Sequence, residues 1–160
     1  MTIKGELSRR VVFIGQAPAR SDHKAKFGSS SGRAQKRLGA LCGLSAEEFR
    51  SGVGWVNLLS RWPGKNGKGD AFDFVKARHQ AWKLNLLFKD GQRVVFLGRN
   101  VCRTFNAETL EPLSSVLSIT GTRFWHVPHP SGVNRWWNDP AHRRSAAAVL
   151  RTILSCKSSP

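Results

Sequence analysis

Val11-Val12-Phe13-Ile14-Gly15-Gln16-Ala17-Pro18-Ala19-Arg20 is the stretch that decides the fold class. Its first four residues are apolar and rich in β-branched and aromatic side chains. The run is too short for a helix and suits a strand buried on both faces. Glycine and proline then punctuate it, so the chain leaves the strand through a tight loop at its carboxyl end. A second run of the same kind, Val94-Val95-Phe96-Leu97-Gly98, also stops at a glycine. Trp55-Val56-Asn57-Leu58-Leu59 and Phe124-Trp125-His126-Val127 are two further strand candidates.

Helical patterns separate these runs. Arg33 to Cys42 sets Leu38, Leu41 and Cys42 on one face. Asp70 to Phe88 opens with an acidic cap and carries Phe74, Ala77, Ala81, Leu84 and Phe88 at helical spacing. Asn100 to Phe105 reads as a short helix and Pro140 to Leu154 as a longer one. This alternation predicts an α/β protein, a three-layer α/β/α sandwich around a small central parallel four-stranded sheet. The 160 residues suit a single domain, 1–160, with 155–160 as a frayed tail. Lys65-Asn66-Gly67-Lys68-Gly69 is the most flexible-looking segment.

The charge balance narrows the partner. Lys and Arg number 26 against 10 Asp and Glu, a formal net charge of +16. That excess disfavours an enzyme of small neutral substrates and favours a polyanion, either nucleic acid or an anionic membrane surface. The basic residues are scattered and form no long basic amphipathic helix, which argues against the membrane. The hydrophobic content of 40% is that of a globular domain and not of a basic disordered tail. The opening residues MTIKGELSRR lack the apolar run of a signal peptide, and no stretch is long enough to span a bilayer. Cys42, Cys102 and Cys156 lie far apart with no CxxC pair, and the five histidines show no metal-ligand spacing. The expectation is a cytoplasmic, DNA-associated monomer with reduced thiols, no metal and no cofactor.

In parallel α/β folds a ligand sits beyond the carboxyl ends of the strands. Three loops should therefore converge there: Gly15 to Arg20, Ser60-Arg61-Trp62-Pro63-Gly64-Lys65, and Pro128-His129-Pro130-Ser131-Gly132-Val133-Asn134. The first lacks a GxGxxG dinucleotide fingerprint and, alone, reads equally well as a tight turn. In the last, two prolines stiffen the chain around His129. Ser131 and the amides after it can approach a phosphate, with no Cβ in the way at Gly132.

Taken together and in this order, the loops resemble the uracil-DNA glycosylase superfamily over about Val11 to Leu154. GQAPA is similar to the first-loop motifs of the iron–sulfur-containing branches, HPSGVN to their HPS motif, and WVNLLSRWPG to the segment holding their base-reading asparagine. The cluster cysteines of those branches are missing, so the resemblance implies a compact, cluster-free member. It also implies a glycosylase that flips a nucleotide and hydrolyses its N-glycosidic bond.

On that resemblance, His129 donates to the pyrimidine O2 as negative charge develops on the leaving base. Asn57, with a donor and an acceptor on one side chain, matches the O4/N3–H edge of uracil; it also reads as a buried strand asparagine satisfied by backbone. Phe27 fits stacking on the extruded base and, equally, a core place beneath the loop. Val133 stands where the superfamily inserts a wedge into the duplex. Arg20, Arg33, Arg61, Lys65, Lys68, Ser131, Asn134 and Arg135 are the expected DNA contacts. Trp136 and Trp137 fit either strand stacking or helix packing.

Two departures matter. Related branches place a water-orienting carboxylate in the first loop, where this chain has Gln16 and Ala17. Glutamine can position water but takes no proton at neutral pH, which implies a slower or specialised enzyme. Asp22 is a candidate substitute, although it also fits a capping role. Ala17 and Ala19 are expected to border the base, and Ala19 replaces the tyrosine that excludes a C5 methyl in the best-known branch. Room beside C5 extends the expected substrates to 5-substituted pyrimidines. The competing reading is a glycosylase-fold module that binds DNA or a partner without cutting. An α/β enzyme of free nucleotides is a third, which the +16 charge disfavours.

Overall fold

The computed structural model describes residues 3–18, 32–67 and 69–155. Strands β1 (Val11–Gly15), β2 (Gly54–Asn57), β5 (Arg93–Leu97), β6 (Ser115–Leu117) and β7 (Arg123–Val127) form one sheet in the order β2-β1-β5-β7-β6. The four expected strands pair in parallel, and β6 adds a short antiparallel edge beside β7. The short strands β3 (Lys65–Asn66) and β4 (Gly69–Asp70) make a separate hairpin.

The period-two side-chain alternation of a strand divides the core in two. Val12 and Ile14 of β1, Val56 of β2, and Val94 and Phe96 of β5 face one layer. That layer is supplied by α1 (Ile3–Leu7), α4 (Phe74–Asn85) and α5 (Arg99–Thr104), through Leu7, Ala77, Ala81, Leu84 and Val101. Val11, Phe13, Val95 and Leu97 face the other way, onto Leu38 of α2 (Arg33–Cys42), Phe49 of α3 (Ala46–Gly52) and Leu150 and Ile153 of α6 (Pro140–Ser155). The expected three-layer sandwich is observed. Because both sheet faces are covered, the central strands read as unbroken apolar runs.

Sheet order sets the crevice. From β1 the chain passes to β2 on one side and later to β5 on the other, so the topology reverses at β1. A crevice opens at the carboxyl end of such a strand pair.

Two buried polar side chains brace the opposite end. Gln92 Nε2 donates to the carbonyls of Leu7 and Arg9, both at 2.8 Å. Glu6 Oε2 accepts from Trp55 N–H at 2.7 Å, tying α1 to β2.

One expected boundary moves. The helix read from Asp70 starts at Phe74, because Asp73 is its cap and accepts from Lys76 N–H at 3.0 Å. Asp70 belongs to the hairpin, opposite Lys65 in register, and the segment 65–67, read as flexible, forms its first strand and turn. Helices α1 and α3 were not anticipated; α3 carries a capping box in which Ser45 and Glu48 bond reciprocally. Cys42 is half-buried at the end of α2 and Cys102 is buried in α5, both free; Cys156 lies outside the described residues.

Candidate active site

The floor of the site is the end of β1 and β2. Gly15 pairs with Asn57, and the ladder runs on past the sheet. Leu58 N–H donates to Gly15 O (3.0 Å) and Leu59 N–H to Gln16 O (2.9 Å), which fixes the first loop to β2. Trp55 and Asn57 alternate onto the same face of β2. A Cβ at position 15 would collide with Asn57 Oδ1 and lie 3.5 Å from Trp55 Nε1. Glycine is therefore required for close approach, leaving the strip between amide and indole open. The Trp55 ring lies flat on Phe13, with centroids 5.8 Å apart and planes at 8°. Its buried N–H has no partner among the described residues.

The wall comes from β5 and β7. Gly98 N–H donates to Val127 O (2.8 Å), and the backbone there holds φ +92°, open only to glycine in practice. A Cβ at Gly98 would stand 2.9 Å from His129 Cβ. The His129 carbonyl accepts two hydrogen bonds, from Asn134 Nδ2 and from Trp137 Nε1, each at 2.9 Å. Asn134 Oδ1 accepts from Trp136 N–H (3.1 Å), starting a 3₁₀ turn over Arg135–Asn138. From α2, Arg37 donates to the carbonyls of Ser131 (2.9 Å) and Pro130 (3.3 Å). The loop is thus pinned at its backbone, and the half-buried His129 lines the cavity. Burial pushes His129 below the usual histidine range, against the opposing pull of the Asp70 charge. A neutral imidazole that retains one N–H donor follows.

These parts enclose a cavity of about 410 Å³, within the usual size of a small-molecule site. Of the expected site residues, Gln16, Ala17, Asn57, His129, Ser131, Val133 and Asn134 line it. Val133 stands at the rim, 85% exposed. Arg61, Lys65 and Arg135 are exposed and outside its lining, while Arg33 lines a different cleft. Ala19, Arg20, Asp22, Phe27 and Lys68 lie outside the described residues. Both polar ends of the Asn134 amide are engaged in shaping the loop. The tryptophan pair packs: Trp137 is buried, and Trp136 stacks on His142 at 4.5 Å and 6°.

Sequence reasoning missed four contributors. Trp55 was read as strand filling, Asn100 as the start of a helix, and Asp70 as a helix cap, yet all three line the cavity. For Asp70 the available signal was the turn punctuation of Asn66-Gly67-Lys68-Gly69. Arg37, the clamp on the last loop, carries no local signal because its partner is about ninety residues away in sequence. Behind that loop, Arg33, Lys36, Arg37 and Arg143 surround Trp137 and Leu41 in a cleft of about 460 Å³. No carboxylate lines this cleft among the described residues. The ion pairs among those residues, Lys65–Asp70 and Lys76–Asp73, are on the surface, as is the 3.9 Å contact of His142 with Asp139.

An α/β sandwich with a cavity at its topological switch point is a frame for binding a small ligand. The family comparison is more specific. A family model of the uracil DNA glycosylase superfamily matches residues 3–151, and the chain belongs to that superfamily. A search of curated proteins gave no match. Among the described residues, no group of three or more His, Cys, Asp and Glu side chains could hold a metal ion. No helix among them is long and apolar enough to cross a membrane.

Proposed function

We propose that the protein is a monofunctional DNA glycosylase that flips uracil, or a related 5-substituted pyrimidine, and hydrolyses its N-glycosidic bond to leave an abasic site. The observation that carries this reading is the meeting of the Asn57 amide and the His129 ring in one cavity of a superfamily member. A flipped base set on the Gly15 floor presents its polar edge to Asn57 and its O2 to His129. The bond breaks with its electron pair passing to the base, and a neutral imidazole N–H meets the charge that accumulates on O2. Such a donor is typically worth about 3–4 kcal/mol of barrier.

Val133, exposed at the rim, suits the wedge that fills the vacated place in the stack. Arg33 and the cations beside it, with Arg61 and Arg135, supply a basic surface for phosphates. Acceptance of a C5 substituent rests on residue type at Ala17 and Ala19. The lining includes no lysine among the described residues, so a Schiff base is not invoked and the expected product is an intact strand with an abasic site.

The test is incubation of a labelled uracil-containing oligonucleotide followed by alkali. Alkali-labile sites from the native protein, lost in His129→Ala, support the glycosylase. Gln16 and Ala17 in place of a carboxylate favour a second reading, a module that grips DNA without cutting. Salt-sensitive binding with no base release from uracil, thymine or 5-hydroxymethyluracil substrates would establish it.

A further inference from the structure

Hydrolysis needs a group that holds the attacking water and takes its proton. In the first loop Gln16 can hold a water but cannot accept the proton, and Ala17 can do neither. Among the described residues lining the cavity there is one carboxylate, Asp70, and it arrives from a different direction. The chain leaves β2 at Asn57, crosses Trp62 and Pro63, and turns back through the β3–β4 hairpin. Ala71 N–H donates to Gly64 O (2.9 Å), closing the base of the hairpin and fixing Asp70 at the mouth of the cavity.

Among the described residues Asp70 caps no helix. The cap of α4 is Asp73. Its ion pair with Lys65 is long, 3.7 Å, and leaves the Asp70 side chain 56% exposed. The carboxylate is thus open to water and borders the cavity. Its charge is also felt at the His129 ring on the opposite wall.

We propose that Asp70 is the base that holds and deprotonates the hydrolytic water, so that the carboxylate duty missing from the first loop is carried by the β3–β4 hairpin. This rests on the glycosylase reading. The water oxygen bonds to the anomeric C1′ as the C1′–N1 bond breaks, and the bonding pair leaves with the base. The water proton passes to Asp70, and the departed base anion takes up a proton, either that one from Asp70 or one from solvent as Asp70 releases its own. Both partners are then neutral products, an abasic sugar and a free pyrimidine. Gln16 holds the same water from the loop side.

The experiment compares the full chain with Asp70→Asn, Asp70→Ala and Asp70→Glu in single-turnover base release, with DNA affinity followed by fluorescence anisotropy. Asp70→Asn is expected to slow release by about 10²–10⁴-fold with DNA affinity held or slightly raised. Asp70→Glu should retain part of the rate, and sodium formate at constant ionic strength should restore part of the Asp70→Ala rate. Since the side chain is exposed, all three variants should melt like the native protein. A native rate in Asp70→Asn overturns the assignment and leaves the glycosylase reading standing. So does a loss confined to Asp22→Asn, or a loss in Asp70→Ala that formate does not touch and that DNA affinity matches. A native protein that releases no base overturns the glycosylase reading, and this assignment falls with it.

Discussion

The indole N–H of Trp137 donates to the carbonyl oxygen of His129 at 2.9 Å, so a buried tryptophan of the 3₁₀ turn sets the backbone of the candidate electrophile. Trp137→Phe keeps most of the packing and removes the donor. We expect a stability loss of about 0.5–1.5 kcal/mol in urea unfolding, with a larger fractional fall in base release than in DNA affinity. Equal falls in release and affinity would show that the contact serves the fold alone.

Gly98 tests the approach of the same histidine from below. Its φ of +92° and the 2.9 Å separation a Cβ would have from His129 Cβ make Gly98→Ala doubly unfavourable. The expected cost is about 1–3 kcal/mol, read by thermal or urea unfolding. A neutral outcome would mean that the His129 loop moves freely away from β5.

The pH dependence follows from the burial of His129, which lowers its folded value beneath the unfolded value of about 6.5. The neutral form is the one burial favours and, on the proposed mechanism, the active one. Its contribution to stability is complete above pH ~6.5 and is lost as pH falls through that value toward the folded one. Base release should accordingly hold level down to about pH 6.5 and decline only on the acid side. Release that rises as pH falls below about 6.5 would show that a charged imidazole is required.

The cleft around Trp137 predicts a salt effect. Lys36, Arg37 and Arg143 line it with Arg33 and without a carboxylate among the described residues. Lys36→Ala and Arg143→Ala should each weaken binding to any DNA sequence and lower the slope of log affinity against log salt by about 1. An unchanged slope would place the phosphates elsewhere on the basic surface.

Much of the fold was legible in sequence because strands covered on both faces must be apolar throughout. Val11 to Gly15 and Val94 to Gly98 admit little else, and each terminal glycine marks a place where another chain segment comes close. Those glycines also pointed to the candidate cavity, since loops at the carboxyl ends of parallel strands converge by geometry. Other parts depend on contacts that leave no local trace. Two aspartates precede Phe74, and only the three-residue reach from Asp73 to Lys76 N–H decides which one caps the helix. The same decision releases Asp70 to the cavity. The edge strand β6 is three residues of which two are exposed, so no apolar run announced it. Arg37 and Trp137 act on the His129 loop through backbone carbonyls, and a carbonyl belongs to every residue alike.

The close packing of Gly15 against Asn57 makes the two positions interdependent in evolution. While the amide is present, any side chain at 15 meets Asn57 Oδ1, so Gly15→Ala should abolish base release and be selected against. Once Asn57 is shortened to alanine, the obstacle is gone, and Gly15→Ala should be tolerated in that background. The order of loss is therefore directional: a lineage that abandons base reading can drop the asparagine first and the glycine afterwards, but not in reverse. This chain carries both Gly15 and Asn57.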